Sequence, residues 1–176
     1  MEIKEIFRED YPHGKPLIYQ YITDRSYSVS LTQNDQKFIV EFEEKMLEKK
    51  IHKRVQSNLF EHDDARYFLI LKNEEEVGVI VLTFHKWNNT LRIEELHIHE
   101  QFKRQGYGQE LIKFSKGMAQ TYKARSIVLE TQTLNYPAIH FYMKNGFEII
   151  GFNLTSYSNE DIEKDEVRLE MGYKLC

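Results

Sequence analysis

Along the chain, stretches of alternating or continuous apolar residues switch with stretches of helical period, and each switch is marked by a polar break. Leu17–Ile22 and Tyr27–Leu31 are rich in β-branched and aromatic residues and predict two short strands, separated by the polar turn Thr23-Asp24-Arg25. From Thr32–Asn34, which read as a cap, Phe38, Ile39, Phe42, Met46 and Leu47 fall at helical spacing and predict a helix over about 35–50 with one buried face. Its basic end (Lys49, Lys50, His52, Lys53, Arg54) would complement the helix dipole. After the polar break Glu61-His62-Asp63-Asp64 come three β-rich runs, Tyr67–Leu71, Val77–Phe84 and Leu91–Ile98. The turns joining them are so short that they predict an antiparallel meander.

Beyond the meander, Leu111, Ile112, Ser115, Met118, Ala119 and Tyr122 define the apolar face of a second helix. Ile127–Leu129 predicts a strand, Pro137 opens a further helix, Asn145-Gly146 closes it, and Phe147–Phe152 and Val167–Tyr173 predict the last strands. No period of 20 to 50 residues repeats and no linker stands out. The expectation is one mixed α/β domain over 1–176, with helices packed on a central sheet.

Composition narrows the class. At 176 residues, 41% hydrophobic and 30% charged, the chain belongs with soluble globular proteins. A net charge of −4 lacks the basic excess of a nucleic-acid binder. The N-terminus is charged from its second residue and no apolar run approaches the ~20 residues of a membrane span, so neither a leader nor a membrane partner is expected. One cysteine, Cys176, rules out an internal disulfide or a Cys-based metal cluster and suits a reducing, cytoplasmic setting.

The chemistry concentrates in Ile93-Glu94-Glu95-Leu96-His97-Ile98-His99-Glu100-Gln101-Phe102-Lys103-Arg104-Gln105-Gly106-Tyr107-Gly108. A strand runs into a glycine-containing turn at 103–108 and straight into an amphipathic helix. That order aims successive backbone N–H groups and the positive end of a helix dipole at one point, which suits a phosphate or pyrophosphate. The dinucleotide fingerprint is excluded by Leu111 at its third glycine, and the Gly-Lys-Ser/Thr of a P-loop is absent. Three carboxylates are available as bases: Glu94, Glu95 and Glu130. Strand alternation sets Glu94 with Leu96 and Ile98, and Glu95 with His97 and His99; a bulge would disturb that parity. Glu130 continues an apolar strand, where burial is costly unless it lines a cleft. His97 and His99 share a strand face but lack a third ligand nearby in sequence, and no metal is expected.

These motifs resemble the GNAT superfamily of acyl-CoA-dependent N-acetyltransferases. The family's pyrophosphate loop reads Arg/Gln-x-x-Gly-x-Gly/Ala; here Lys103-Arg104-Gln105-Gly106-Tyr107-Gly108 departs at its first position, with Arg104 beside it as a substitute cation. Downstream, Leu129-Glu130-Thr131, Asn135, Ala138, Phe141-Tyr142 and Asn145-Gly146-Phe147 follow the family's second motif without gaps. Within the superfamily, Trp87-Asn88, Ile93-Glu94-Glu95, Leu129-Glu130-Thr131-Gln132 and the acidic loop Asn159–Asp161 resemble streptothricin acetyltransferases over about residues 67–175.

The resemblance implies a mostly antiparallel sheet of about seven strands flanked by helices. It divides the chain into an acceptor-side region of about 1–65, an acetyl-CoA-binding core of about 66–152 and C-terminal strands within about 147–175. It implies acetyl-CoA as cosubstrate, held by Leu96, His97, Ile98, Lys103, Arg104, Gln105, Gly106, Tyr107, Gly108, Gln109, Asn135 and Tyr142. Ile98 would act through its backbone N–H on the thioester carbonyl. Tyr142 takes the family position of the acid for the departing thiolate; of the strand carboxylates, Glu94 and then Glu130 are the favoured bases for the acceptor ammonium. The implied reaction is acetyl transfer to a primary amine of a small cationic molecule such as a streptothricin, hence antibiotic resistance. A protein N-terminus, a lysine, a polyamine or a non-catalytic acyl-CoA sensor remain open readings, and a homodimer is allowed for.

Overall fold

The computed structural model describes residues 1–175; the cysteine at 176 lies outside the described residues. In chain order the strands are β1 Glu2–Ile6, β2 Pro16–Asn34, β3 Lys37–Asn58, β4 Arg66–Lys72, β5 Glu75–His85, β6 Thr90–Ile98, β7 Ser126–Gln132, β8 Glu148–Asn153 and β9 Arg168–Lys174. Two helices, α1 Tyr107–Thr121 and α2 Tyr136–Lys144, fall between β6 and β7 and between β7 and β8. Seven strands form one sheet in the order β1-β4-β5-β6-β7-β9-β8, and β2 and β3 pair as a separate two-stranded ribbon. β1/β4, β4/β5 and β5/β6 are antiparallel, whereas β6 and β7, joined through α1, run parallel. No described helix is long and apolar enough to cross a membrane. The mixed α/β class, the antiparallel meander and both C-terminal helices agree with the sequence.

By contact the chain divides into two compact units. The first comprises Met1–Gln20, Arg54–Leu129 and the chain from Gly172. On one face of its sheet, Tyr67, Leu69, Val79 and Val81 pack with Ile6, Leu17, Leu59 and Phe60. The alternate residues Phe68, Ile70, Ile80 and Leu82 are also buried, and α1 packs on β5 and β6 through Leu111, Ile112, Ser115 and Ala119. The Phe68 and Phe114 rings meet edge-on at 4.8 Å. Because both faces are covered, β4 and β5 read as almost unbroken apolar runs.

The second unit comprises Tyr21–Lys53 and Glu130–Met171. Here the expected helix over 35–50 is absent, and its residues belong to β3. The Asn34 side chain accepts the backbone N–H of Gln36 at 3.1 Å, so the polar stretch taken for a helix cap instead reverses the chain from β2 into β3. Of the residues assigned to a buried helical face, Phe38 is 70% exposed and Met46 65%. Backbone pairing with β2, rather than burial of a stripe, makes this segment extended. The expected turn Thr23-Asp24-Arg25 is also absent. Buried Thr23 donates its hydroxyl to the Arg25 carbonyl at 2.5 Å and accepts the Arg25 N–H at 3.1 Å, local bonds that hold these polar residues within the continuous strand β2. Strand β1, where the apolar pattern predicts no strand, completes the edge beside β4.

Candidate active site

In the first unit, the segment of interest begins at the centre of β6. The β5–β6 register slips between Val81 and Leu82: Val81 faces Glu95 and Leu82 faces Ile93, leaving Glu94 as the extra residue of a bulge. Before the slip, Ile93 lies on the α1 side with its partner Leu82; after it, Leu96 and Ile98 do. The bulge therefore turns Glu94 toward the side of Arg92 and Glu95, which corrects the grouping of Glu94 with Leu96 and Ile98. Arg92 Nε donates to Glu94 Oε2 at 2.9 Å, and His85 Nε2 lies 4.0 Å from Oε1. Its neighbour Glu95 accepts hydrogen bonds from the Tyr19 hydroxyl and, at 3.0 Å, from Ser57 Oγ.

Further along β6, Gly78 of β5 stands opposite Ile98. A Cβ on Gly78 would collide with the His97 carbonyl oxygen and lie 2.7 Å from Ile98 Cδ1, so the two backbones can approach only because residue 78 has no side chain. The His99 N–H donates to the Val77 carbonyl at 2.9 Å. Alternation of donors along an antiparallel strand then turns the N–H of His97 toward β5 and those of Leu96 and Ile98 away from it. On that far side, the pairing of β6 with β7 covers Thr90–Ile93 against Ser126–Leu129, and β6 continues five residues past its end. The main chain at Leu96 and Ile98 thus extends beyond the parallel ladder.

The His97 ring is buried against Tyr19, with centroids at 4.9 Å and an edge-on approach, and against His99 at 5.2 Å. Burial, followed by the His99 and Lys103 charges, lowers its pKa to about 4, so it is neutral at physiological pH. His99 is also lowered, first by burial and then by Lys15.

A short turn at Glu100–Phe102 leads into the loop. Lys103 Nζ donates to the Gln20 carbonyl at 2.7 Å and to Glu100 Oε2 at 2.6 Å, and Gln105 Nε2 donates to the Gln101 carbonyl at 2.9 Å. Arg104 is exposed and, among the described residues, makes no ion pair. It has φ +61°, and Gly106, the residue before α1, has φ +90°. A Cβ on Gly106 would meet nothing within 4 Å, so glycine serves the left-handed backbone there rather than a tight protein contact. The first intrahelical bond runs from the Glu110 N–H to the Gly106 carbonyl at 3.2 Å. The N–H groups of Tyr107, Gly108 and Gln109 therefore lack helical acceptors and point out of the positive end of α1.

The remaining sequence candidates lie in the second unit. Glu130 pairs with Arg168 Nη2 at 2.9 Å and accepts from the Tyr157 hydroxyl at 3.2 Å. Burial, then the Glu130 charge, pushes the Tyr157 hydroxyl up to about 12. Asn135 caps α2, its side chain accepting the Ala138 N–H at 3.3 Å. Half-buried Tyr142 packs its ring against Phe141 at 5.3 Å and Phe147 at 5.7 Å. Its carbonyl accepts the N–H groups of Asn145 and Phe147, closing the helix.

Residues that the sequence did not single out are Gly78, Arg92, Tyr19 and Ser57. A glycine inside an apolar strand signals close backbone approach, so Gly78 was detectable. Tyr19 and Ser57 meet Glu95 across 76 and 38 residues, which leaves no local signal. Among the described residues no three His, Cys, Asp or Glu side chains are grouped to hold a metal.

The acetyltransferase (GNAT) family matches residues 2–147. A streptothricin acetyltransferase of Escherichia coli is 32% identical over 109 residues, covering 62% of this chain and 62% of the relative. Another, from Streptomyces lavendulae, is 28% identical over 98 residues, covering 55% and 52%. The chain thus matches a little over half to about three-fifths of the length of these curated relatives. The crystal structure of a nourseothricin acetyltransferase superposes with a TM-score of 0.75 at 22% identity, over 98% of this chain and 97% of that one. A protein assigned as a streptothricin acetyltransferase from Bacillus anthracis strain Ames, in complex with acetyl coenzyme A, gives 0.76 at 24%, over 99% and 97%. At such identities these structures bear on the fold.

Proposed function

The chain belongs to the GNAT acetyltransferase family, and from that premise we propose that it moves the acetyl group of acetyl-CoA to a primary amine of a small cationic acceptor of the streptothricin kind. The observation that carries the reading is strand β6, which outruns its pairing with β7 and leads through the left-handed Gly106 into the N-terminus of α1. That continuity offers two sets of main-chain donors in sequence. The N–H groups of Gly106, Tyr107, Gly108 and Gln109 suit the pyrophosphate, with Arg104 as the adjacent cation. Lys103, already bonded to Glu100 and to the Gln20 carbonyl, fixes the loop. The Leu96 and Ile98 N–H groups suit the amide-bearing arm and the thioester carbonyl, where a fixed donor stabilises the charge that develops on attack. His97 contributes its main chain, since its ring is turned to the opposite face and neutral.

An aliphatic ammonium has a pKa of about 10.4 and must lose a proton before it can attack. Glu94 is the proposed base, acting directly or through one water. Arg92 holds its carboxylate in place, and the bulge gives it an orientation that regular strand alternation would not. Glu130, paired with Arg168, is the second candidate. Asn135 is assigned both to the α2 cap and to the pantetheine arm. Tyr142 is assigned to protonation of the CoA thiolate as it departs. Because thiols ionise near pH 8.5, that leaving group needs modest help, at the lower end of about 10²- to 10⁴-fold. We place the reaction in the cytoplasm.

Calorimetric titration with acetyl-CoA tests the carrying observation. The wild-type protein binds, and Gly106→Val, which forces a β-branched side chain into a left-handed conformation at the start of α1, abolishes binding while the circular dichroism of the sheet persists. Undiminished affinity in that variant removes the loop from the site. Tyr142→Phe separates the hydroxyl from the packing of the ring, and lowers kcat by about 10² with acetyl-CoA affinity retained.

A further inference from the structure

Strand β3 forms one side of the two-stranded ribbon, and among the described residues no further strand pairs its outer edge. The other edge of the ribbon is partly engaged, since the Tyr27 N–H of β2 donates to the Thr133 carbonyl at 3.2 Å. Twenty-two residues long, β3 carries Phe38, Met46 and Val55 exposed to solvent. A long unpaired edge of this sort is a template for another chain, and lysines along it are the usual protection. Here, however, the charges follow an order. Glu41, Glu43 and Glu44, with Lys45 among them, precede the apolar pair Met46-Leu47, and Lys49, Lys50 and Lys53, with Glu48 among them, follow it; in an antiparallel arrangement about that pair Lys45 also comes opposite Glu48. Protective charges need no such order. Laid parallel and in register, two copies would set like charge on like; laid antiparallel about Met46-Leu47, each acidic half meets a basic half.

We propose that β3 is a homodimer interface, pairing antiparallel with β3 of a second copy of this chain about a twofold axis at Met46-Leu47. The occupant follows from charge complementarity: the edge is its own complement only in that orientation. Part of the strand is committed within the chain, since Glu44 pairs with Arg25, Lys45 with Asp165 and Lys53 with Glu166. Among the described residues Glu41, Glu43, Glu48, Lys49 and Lys50 make no ion pair, and within residues 41–50 these are the charges left to a partner. Opposite charges directly across an antiparallel pair, or diagonal to it, stabilise the pairing and fix its direction. Continuation of the ribbon into a four-stranded sheet also covers Met46, leaving less apolar surface in water.

Sedimentation equilibrium over a concentration series tests this directly. Wild type gives twice the chain mass of 21.2 kDa. Lys49→Glu/Lys50→Glu makes residues 41–50 predominantly acidic and Glu41→Lys/Glu43→Lys makes them predominantly basic, and each alone sediments as a monomer at concentrations at least about tenfold above the wild-type midpoint, a cost of roughly 1.4 kcal/mol or more. Mixed in equal amounts, the two variants form a heterodimer, because the acidic strand of one now meets the basic strand of the other. As a measurement on the unmodified protein, amide hydrogen exchange at low and high concentration shows added protection confined to about residues 41–53. A monomeric wild type overturns the proposal. So do charge variants that dimerise as well as wild type, a mixture that stays monomeric, or concentration-dependent protection elsewhere in the chain.

Discussion

β5 and β3 are both strands, yet they are held in opposite ways. β5 is buried on both faces from Val77 to Thr83, between the apolar cluster of the first unit and α1, and its conformation follows from where its side chains must go. β3 buries little, and its conformation follows from backbone pairing with β2 and from the turn at Asn34. Stability should therefore reside in the first and pliancy in the second, and the chemistry proposed above is placed where the buried strand meets β6. At the Gly78–Ile98 pair the close packing of the core also fixes the main chain at the end of β6.

The contrast is broken most forcefully by emptying the core. Ile80→Ala, at a site with no solvent exposure, costs about 4 kcal/mol by chemical denaturation. Gly78→Ala sharpens the point at the site itself: the added methyl meets a backbone oxygen that cannot turn aside, so the variant loses about 3 kcal/mol, with a disproportionate loss of acetyl-CoA affinity because Ile98 is displaced. The pH dependence is smaller. The His97 pKa lies near 4 in the fold and near 6.5 when unfolded, so its buried, neutral form gives full stability above pH 6.5. That contribution is lost as the pH falls through 6.5 toward 4, where the unfolded chain takes the proton first. Tm measured across this window falls less steeply in His97→Leu. The smallest effect is on β3, where Phe38→Ala changes stability by less than about 0.5 kcal/mol. A Phe38 variant as costly as Ile80→Ala would show that the ribbon is held by side-chain burial after all.

The same contrast explains what could be read in the sequence. Tyr67–Leu71, Val77–Phe84 and Leu91–Ile98 announce themselves because burial on one or both faces imposes an apolar pattern that short polar turns punctuate. Gly106-Tyr107-Gly108 is legible because a left-handed residue before a helix favours glycine. β3 is not legible, since Phe38, Ile39, Phe42, Met46 and Leu47 mimic a helical stripe although Phe38 and Met46 stay exposed and the others are only partly covered. Its partner strand is the cause of its conformation, and pairing leaves no periodic signature in one sequence. The parity of β6 failed for a different reason. A bulge inserts one residue without altering composition, so the facing of Glu94 can be read only from the register. The partners of Glu130 and Glu95 are likewise set by tertiary structure: Arg168 reaches Glu130 from β9, and Tyr19 reaches Glu95 from β2.

The central claim, acyl transfer at the end of β6, is tested most directly by following free thiol release from acetyl-CoA with a streptothricin as acceptor, in wild type and Glu94→Gln. The account predicts release that requires the acceptor, saturates with it, and rises with pH through the neutral range. It predicts for Glu94→Gln a kcat/KM lower by about 10² or more across that range. Acetyl-CoA that binds the protein yet yields no acceptor-dependent thiol, with streptothricin or with a panel of polyamines and lysine peptides, would contradict it and leave a binding domain in place of an enzyme.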